Sequence, residues 1–484
     1  MVVGESLLNT TLTGFTEPTD RILPENLGDP HFCREYGIRY PYLGGSMAKG
    51  ISSVQLAIAL GRAGMLGFFG AAGLPPEVVE TAINQLQASG VPFGCNLIHS
   101  PHEPELESAL AELYIRKEVR LVEASAFLNL TLPLLRYRLQ GIHRASDGSI
   151  VTPNRIIAKV SREELAERFF SPAPEKMLNA LLQQGHITSE QAKLALFVPV
   201  AQEITAEADS GGHTDNRPAL TLLPTIQSVA TRMQQQYGYL MPLRVGLGGG
   251  IGTPQAAAAA FAMGAAWIMV GSVHQACVES GTSETVRAKL AETRQADVAM
   301  APAADMFEMG VTVQVLKRGT MFAMRAAKLY ELYRTYNGID EIPVTEREKL
   351  EKAVFLAPLE EIWQQTRSFF LQRDPRQVER AERDQKHRMA LIFRWYLGQA
   401  AHWAKDGVPD RIMDYQVWCG PAMGAFNEWV RGSFLEDPAR RRAATVARNI
   451  LEGAAAISSA NLQRFQGGQA SPLQLQTEIK EYFA

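Results

Sequence analysis

Between Tyr40 and Ser272, short apolar runs rich in β-branched and aromatic residues alternate with segments of helical period, and this repeated order of β then α restricts the chain to few folds. The runs are RYPYLGG from Arg39, LGFFG from Leu66, FGCNLI from Phe93, LVEASAF from Leu121, RIIAKV from Arg155, FVPVAQEITAEA from Phe197, LRVGLGGG from Leu243 and AWIMVGS from Ala266. Between them, SSVQLAIALGRAG, PPEVVETAINQLQASG and TPQAAAAAFAMGA open on Ser, Thr or Pro and finish at or near Gly, as helices do. Eight such units predict an α/β protein with a closed (β/α)8 TIM barrel; an open doubly wound sheet uses the same alternation and is the alternative.

The chain has 484 residues, more than the roughly 250 such a barrel needs. After the fifth run comes SREELAERFFSPAPEKMLNALLQQGHITSEQAKLAL, about residues 161–196, which reads as two or more helices broken at SPAP and Gly185 and could act as a lid or docking surface. Beyond Ser280 the strand pattern gives way to helical period over 305–336, 346–371, 376–405 and 439–465. The expected division is an N-terminal segment 1–38, a barrel 39–304 with its helical insertion, and a mostly α-helical C-terminal region 305–484. In that region DPRQVERAERDQKHR mixes both charge signs, as a solvated helix face does. Met306, Met309, Met321 and Met324 have near-helical spacing and are expected in a core.

A 46% hydrophobic composition excludes general disorder, and a net charge of -3 argues against a dedicated nucleic-acid binder. The N-terminus lacks a basic region followed by an apolar core, so no signal peptide is expected. The longest apolar stretch, PQAAAAAFAMGAAWIMVGS, is interrupted by Gly264, and no membrane span is expected. Cys33, Cys95, Cys277 and Cys419 are scattered without a CxxC pair, which predicts reduced thiols in a cytoplasmic protein. His99 and His102 lack a third ligand, so no metal centre is expected. A homo-oligomer is left open.

In a barrel of this kind the functional groups lie at the C-terminal strand ends, with phosphate commonly held after strands seven and eight. Gly248, Gly249 and Gly250 after the seventh run, followed by the helix start Thr253-Pro254, would let backbone N–H groups approach an anion. Gly271 and Ser272 after the eighth repeat the device. After the sixth run, EADSGGHTDNRP carries Glu207, Asp209, Gly211, Gly212 and His213. This ordered set resembles the FMN-dependent nitronate monooxygenase and enoyl-reductase barrel family, and so do GGSMAKG after strand one (Gly45, Ser46, Met47) and Asn96 on strand three. The segments DMFEMGVTVQVLKRGTMFAMRAAKLYELY and WCGPAMGAFNEWVRGSFLED extend the resemblance to the PfaD-type, trans-acting enoyl reductases of polyunsaturated fatty acid synthases and trans-acyltransferase polyketide synthases.

That resemblance implies bound FMN, NADPH as reductant, and reduction of an enoyl thioester carried on acyl carrier protein domains. Gly45, Ser46 and Met47 would then lie against the flavin. Asn96 could bond the flavin's pyrimidine edge, since an amide both donates and accepts. Lys159, ending strand five, could place a cation near N1 or else face solvent. Glu207 could bond flavin or ribityl groups, while Asp209 suits a loop-fixing role. His213 is the candidate catalytic residue, donating a hydrogen bond or a proton to the thioester. The four methionines could alternatively wall an acyl chain, and Lys317, Arg318, Arg325, Lys328 or Arg440–Arg442 could steer an acidic carrier protein. Competing expectations are a nitronate monooxygenase acting on small nitroalkanes and a non-catalytic synthase-docking scaffold. An inosine-monophosphate-dehydrogenase-like barrel would need a cysteine on the loop after strand six, where none lies.

Overall fold

The computed structural model describes residues 21–99, 103–467 and 478–482. Eight parallel strands close into a barrel: β1 (Tyr42–Gly44), β2 (Leu66–Phe69), β3 (Phe93–Ile98), β4 (Leu121–Ser125), β5 (Arg155–Val160), β6 (Glu203–Glu207), β7 (Arg244–Gly248) and β8 (Ile268–Val270). Each strand neighbours the next in sequence, and β1 meets β8 with Leu43 opposite Met269, so the open-sheet alternative is excluded. The sixth run contributes fewer residues than expected, because 197–202 approach the barrel as turn and coil.

The period-two alternation of the strands stacks three kinds of layer inside the barrel. At the N-terminal end, Arg244 reaches Asp29 at 3.0 Å, Glu35 at 2.7 Å and Glu203 at 3.1 Å. The helix Pro30–Tyr36 plugs this end and stacks Phe32 on Trp267. An apolar layer follows, with Leu43, Phe68, Leu121, Ile157, Trp267 and Met269 in one buried cluster. Further along β4, β5 and β6 stand the ionisable Glu123, Lys159 and Glu207, grouped below the C-terminal mouth.

The insertion after β5 forms three helices, Glu163–Phe170, Glu175–Gln183 and Ser189–Ala195, interrupted at SPAP and Gly185. The first packs on the helix Ala219–Tyr237, and the third touches the hairpin His143–Arg144/Ile150–Val151 on the approach to β5. The lid expectation fails, since residues 161–196 contribute nothing to the cavity at the mouth.

Past Ser280 the chain is not purely helical. Val298–Pro302 and Thr312–Leu316 pair antiparallel, and the latter also pairs with Gly212–His213 from the loop after β6. The expected boundary at 304/305 therefore falls inside one small sheet. The segment VTVQVL is rich in β-branched residues, a strand signal that the methionine spacing obscured. Met306 is buried, but Met309 and Met324 are 53% and 66% exposed, so the methionines do not form one core stripe, and none of the four lines the cavity.

Helices from Phe322–Thr335 to Gln385–Asp406 form a unit around a second apolar cluster that includes Phe355, Trp363, Phe393 and Tyr396. The charged helix Pro375–Arg383 buries only Val378 and Ala381. The final long helix, Ala443–Phe465, does not belong to that unit. It packs along Pro254–Ala262 and against Val54–Arg62, filling the place of the barrel's eighth helix. The helical unit is thus inserted between β8 and the helix that completes the barrel. Among the described residues no helix is long and apolar enough to cross a membrane, and all four cysteines are free and buried.

Candidate active site

The C-terminal strand ends enclose a cavity of about 280 Å³ roofed by the inserted unit. Its lining contains every expected site residue: Gly45, Ser46, Met47, Asn96, Lys159, Glu207, Gly211, Gly212, His213, Gly248, Gly249, Gly250, Gly271 and Ser272.

Lys159 points inward rather than to solvent, with Nζ 3.3 Å from Glu207 and 3.9 Å from Glu123. Burial pulls its ammonium down, but the two carboxylates outweigh burial and raise its pKa. Glu123 was missed in the sequence. It is fully buried, and burial raises its carboxyl to about 7 despite Lys159. Its carboxylate accepts from the Ser46 hydroxyl and from the Ser46 N–H at 3.2 Å, so the serine's polar groups are already engaged by the protein. A lone acid within the strand run LVEAS, on the face shared with Leu121, was the available signal.

Asn96 is likewise engaged. Its amide donates to Ser125 Oγ at 3.0 Å and accepts from Ala72 N–H at 3.2 Å, joining the ends of β2, β3 and β4. Asp209 accepts from Asn216 and Gln314 at 2.8 and 2.7 Å, which fixes the loop after β6. His213 Nε2 lies 3.1 Å from Asp305 Oδ1. Burial depresses the imidazole, but the Asp305 carboxylate more than compensates, so its pKa lies above 6.5. Asp305 was also missed, because its link to His213 exists only through the sheet pairing of Val313 with His213.

The glycines divide by task. An added Cβ at Gly211 would meet the Cys419 backbone at 2.8 Å, so this glycine admits the segment Trp418–Gly420 onto the loop. At Gly250 and Gly271 an added Cβ would meet no protein atom, leaving open space at the ends of β7 and β8. The N–H groups of Gly250, Ile251 and Ser272 donate to no protein acceptor among the described residues, and the buried Ser210 hydroxyl has no partner. The Ser272 hydroxyl accepts from Gly420 N–H at 3.0 Å. Free backbone donors beside unfilled glycine space fit a phosphate-bearing cofactor held at the ends of β7 and β8.

Lys49, from GGSMAKG, lies on the side of the inserted unit. It adopts a left-handed backbone (φ 57°) and donates to the Gly398 carbonyl at 3.1 Å. Burial and nearby Lys405 pull its amine down to about 8. His99 pairs with Glu107 at 2.8 Å, and His102 lies outside the described residues. Of the cations considered for steering, Arg325 is bound to Asp414, Arg318 to Asp297 and Arg440 to Glu481, while Arg441 is buried and donates to the Leu435 carbonyl.

The family model described as nitronate monooxygenase matches residues 33–341, and that of the inserted helical domain of [acyl-carrier-protein] S-malonyltransferase matches 336–415. The chain is 52% identical over 417 residues to one component of the polyunsaturated fatty acid synthase of Thraustochytrium sp., covering 85% of this chain and 28% of that protein. It is 43% identical over 445 residues to the polyketide biosynthesis protein PksE of Bacillus subtilis, covering 91% and 58% respectively. The chain thus spans less than two thirds of the length of these curated relatives. Among solved structures, the enoyl reductase domain of MlnA from the macrolactin biosynthesis cluster of Bacillus amyloliquefaciens superposes with a TM-score of 0.85 at 38% identity, over 91% of this chain and 99% of that one.

Proposed function

The chain belongs to the nitronate monooxygenase family, and from that membership and its likeness to an enoyl reductase domain of a polyketide cluster we propose that it is a trans-acting, FMN-dependent enoyl reductase. Its substrates would be α,β-unsaturated thioesters on acyl carrier protein domains of a polyketide or polyunsaturated fatty acid synthase, with NADPH as reductant. The observation that carries the reading is the convergence of every motif residue on one cavity, with the ionisable cluster of Lys159, Glu207 and Glu123 at its base and a His-Asp pair in its wall.

FMN, when bound, supplies a hydride for the β-carbon of the enoyl group. Gly250, Gly271 and Ser272 would hold its phosphate through backbone N–H groups at the ends of β7 and β8. Lys159 would supply positive charge to the bound flavin, its position fixed by Glu207 and Glu123. His213, kept more readily protonated by Asp305, would donate a hydrogen bond to the thioester carbonyl as negative charge develops there, or deliver the α-proton. The helical unit would cover the mouth and exclude water.

Purified protein should carry a flavin absorbance, or regain one when FMN is added. It should oxidise NADPH only when a 2-enoyl thioester is present, and mass analysis of the carrier-bound chain should show a gain of two hydrogens. Turnover of a nitronate with oxygen and no carrier protein would instead support the small-nitroalkane reading. A protein that binds FMN but turns over neither substrate would support a docking scaffold.

A further inference from the structure

Gly398 occupies the interior of the 22-residue helix Gln385–Asp406, where glycine is less favourable than alanine. Packing gives no reason for it, because an added Cβ at Gly398 would meet no atom within 4 Å. The backbone conformation gives none either, since Gly398 does not adopt a positive φ. What distinguishes the position is its place. Gly398, Leu397 and Ala401 are the part of this helix that lines the cavity. Lys49, from the loop after β1, donates to the Gly398 carbonyl and so ties this helix face to the barrel mouth. The opposite side of the cavity is formed by the strand ends that would hold the cofactor. The wall carried by Gly398 therefore faces the space left for the second substrate.

We propose that Gly398 sets the width of the passage for the acyl chain, and so acts as a specificity-determining residue contributed by the inserted helical unit. This rests on the enoyl-reductase reading above. A methyl or isopropyl group here would project into the passage without disturbing the core, and Lys49 would keep its carbonyl acceptor. The helix itself would be better formed with alanine than with glycine, so retention of glycine costs stability and is offset by the space it leaves.

The test compares wild type, Gly398→Ala and Gly398→Val on a four-carbon and a ten-carbon 2-enoyl pantetheine thioester, with calorimetric binding of a saturated ten-carbon acyl-pantetheine measured in parallel. Flavin content should be unchanged in both variants, and Gly398→Ala should melt no lower than wild type. Gly398→Val should lose roughly tenfold or more in kcat/KM on the long substrate, the scale of a methylene-sized steric change in an apolar pocket. Its activity on the short substrate should stay within about threefold. Gly398→Ala should fall between. Equal losses on both chain lengths, or unchanged long-chain turnover in Gly398→Val, would overturn the proposal. If wild type reduces neither thioester, the enoyl-reductase reading fails. The calorimetric arm then decides separately, since long-chain binding that is equal in wild type and Gly398→Val removes the wall role as well.

Discussion

His213 and Asp305 stand 92 positions apart in sequence, and their 3.1 Å contact shows how the tertiary structure tunes one side chain. The imidazole was visible as a candidate because it follows two glycines at a strand end, but nothing in its neighbourhood named its partner. Because Asp305 raises the His213 pKa, a step that needs the imidazolium is favoured at low pH and fails as pH rises through that raised value. Asp305→Asn should move the alkaline limb of the kcat/KM profile to lower pH with FMN still bound, and His213→Ala should reduce enoyl turnover about 10²-fold or more. Turnover unchanged in His213→Ala would remove the histidine from the mechanism. Glu123 is shifted in the same direction, but by burial, which disfavours its charged form, rather than by a partner that favours one. Its folded pKa of about 7 exceeds the ordinary 4.5, so a penalty on the folded state develops as pH rises from about 4.5 through 7. The melting temperature of Glu123→Gln relative to wild type should therefore improve across that interval, and a difference flat with pH would contradict the assignment. Lys159 was legible as a candidate from its strand-end position, but only its contacts with Glu207 and Glu123 decide that it faces inward rather than to solvent. Glu123 escaped notice because a single acid in an apolar strand carries no motif.

The strand Gly212–His213 exists only because Thr312–Leu316 lies beside it, and two residues are too few to persist alone. Its neighbour Gly211 is where the Trp418–Gly420 segment approaches, at a spacing that leaves no room for a side chain. Gly211→Ala should force these backbones apart and destabilise the protein by about 1–3 kcal/mol, the usual range for overpacking. A thermal melt would register the loss, and Trp418 should report the displacement as a change in fluorescence. An unchanged melt would mean that the roof is not held at this point. The barrel strands could be read because each is a compact apolar run between turn residues. The roof strands could not, because Thr312–Leu316 takes one of its partners from the loop after β6, and the apolar period of 305–336 fits a helix equally well.

The helix Ala443–Phe465 buries Val446, Ala447, Ile450, Leu451 and Ala454 in the barrel's main core. Full burial of the Val, Ile and Leu side chains alone is worth about 5–9 kcal/mol, comparable to the whole net stability of an ordinary domain. Deleting residues 443–484 should therefore abolish cooperative unfolding of the barrel, whereas a tail merely appended to it could be lost without that effect. Circular dichroism melts of the truncated chain would distinguish the two. Arg244 makes a similar demand at the other end. Replacing it with Met would remove the ion-pair partner of the buried Glu203, leaving it only the more distant Arg155 and Arg138, and should cost about 3–5 kcal/mol. The eight βα units, the strand ends that carry the chemistry and the motif residues gathered there could be read from the chain alone, with closure into a barrel as the expectation, because alternation, glycine placement and strand-end position are local properties. The tertiary structure alone decided which charges meet beneath the cavity, what roofs it and which helix closes the barrel, because those depend on contacts between segments far apart in the chain that local pattern does not encode.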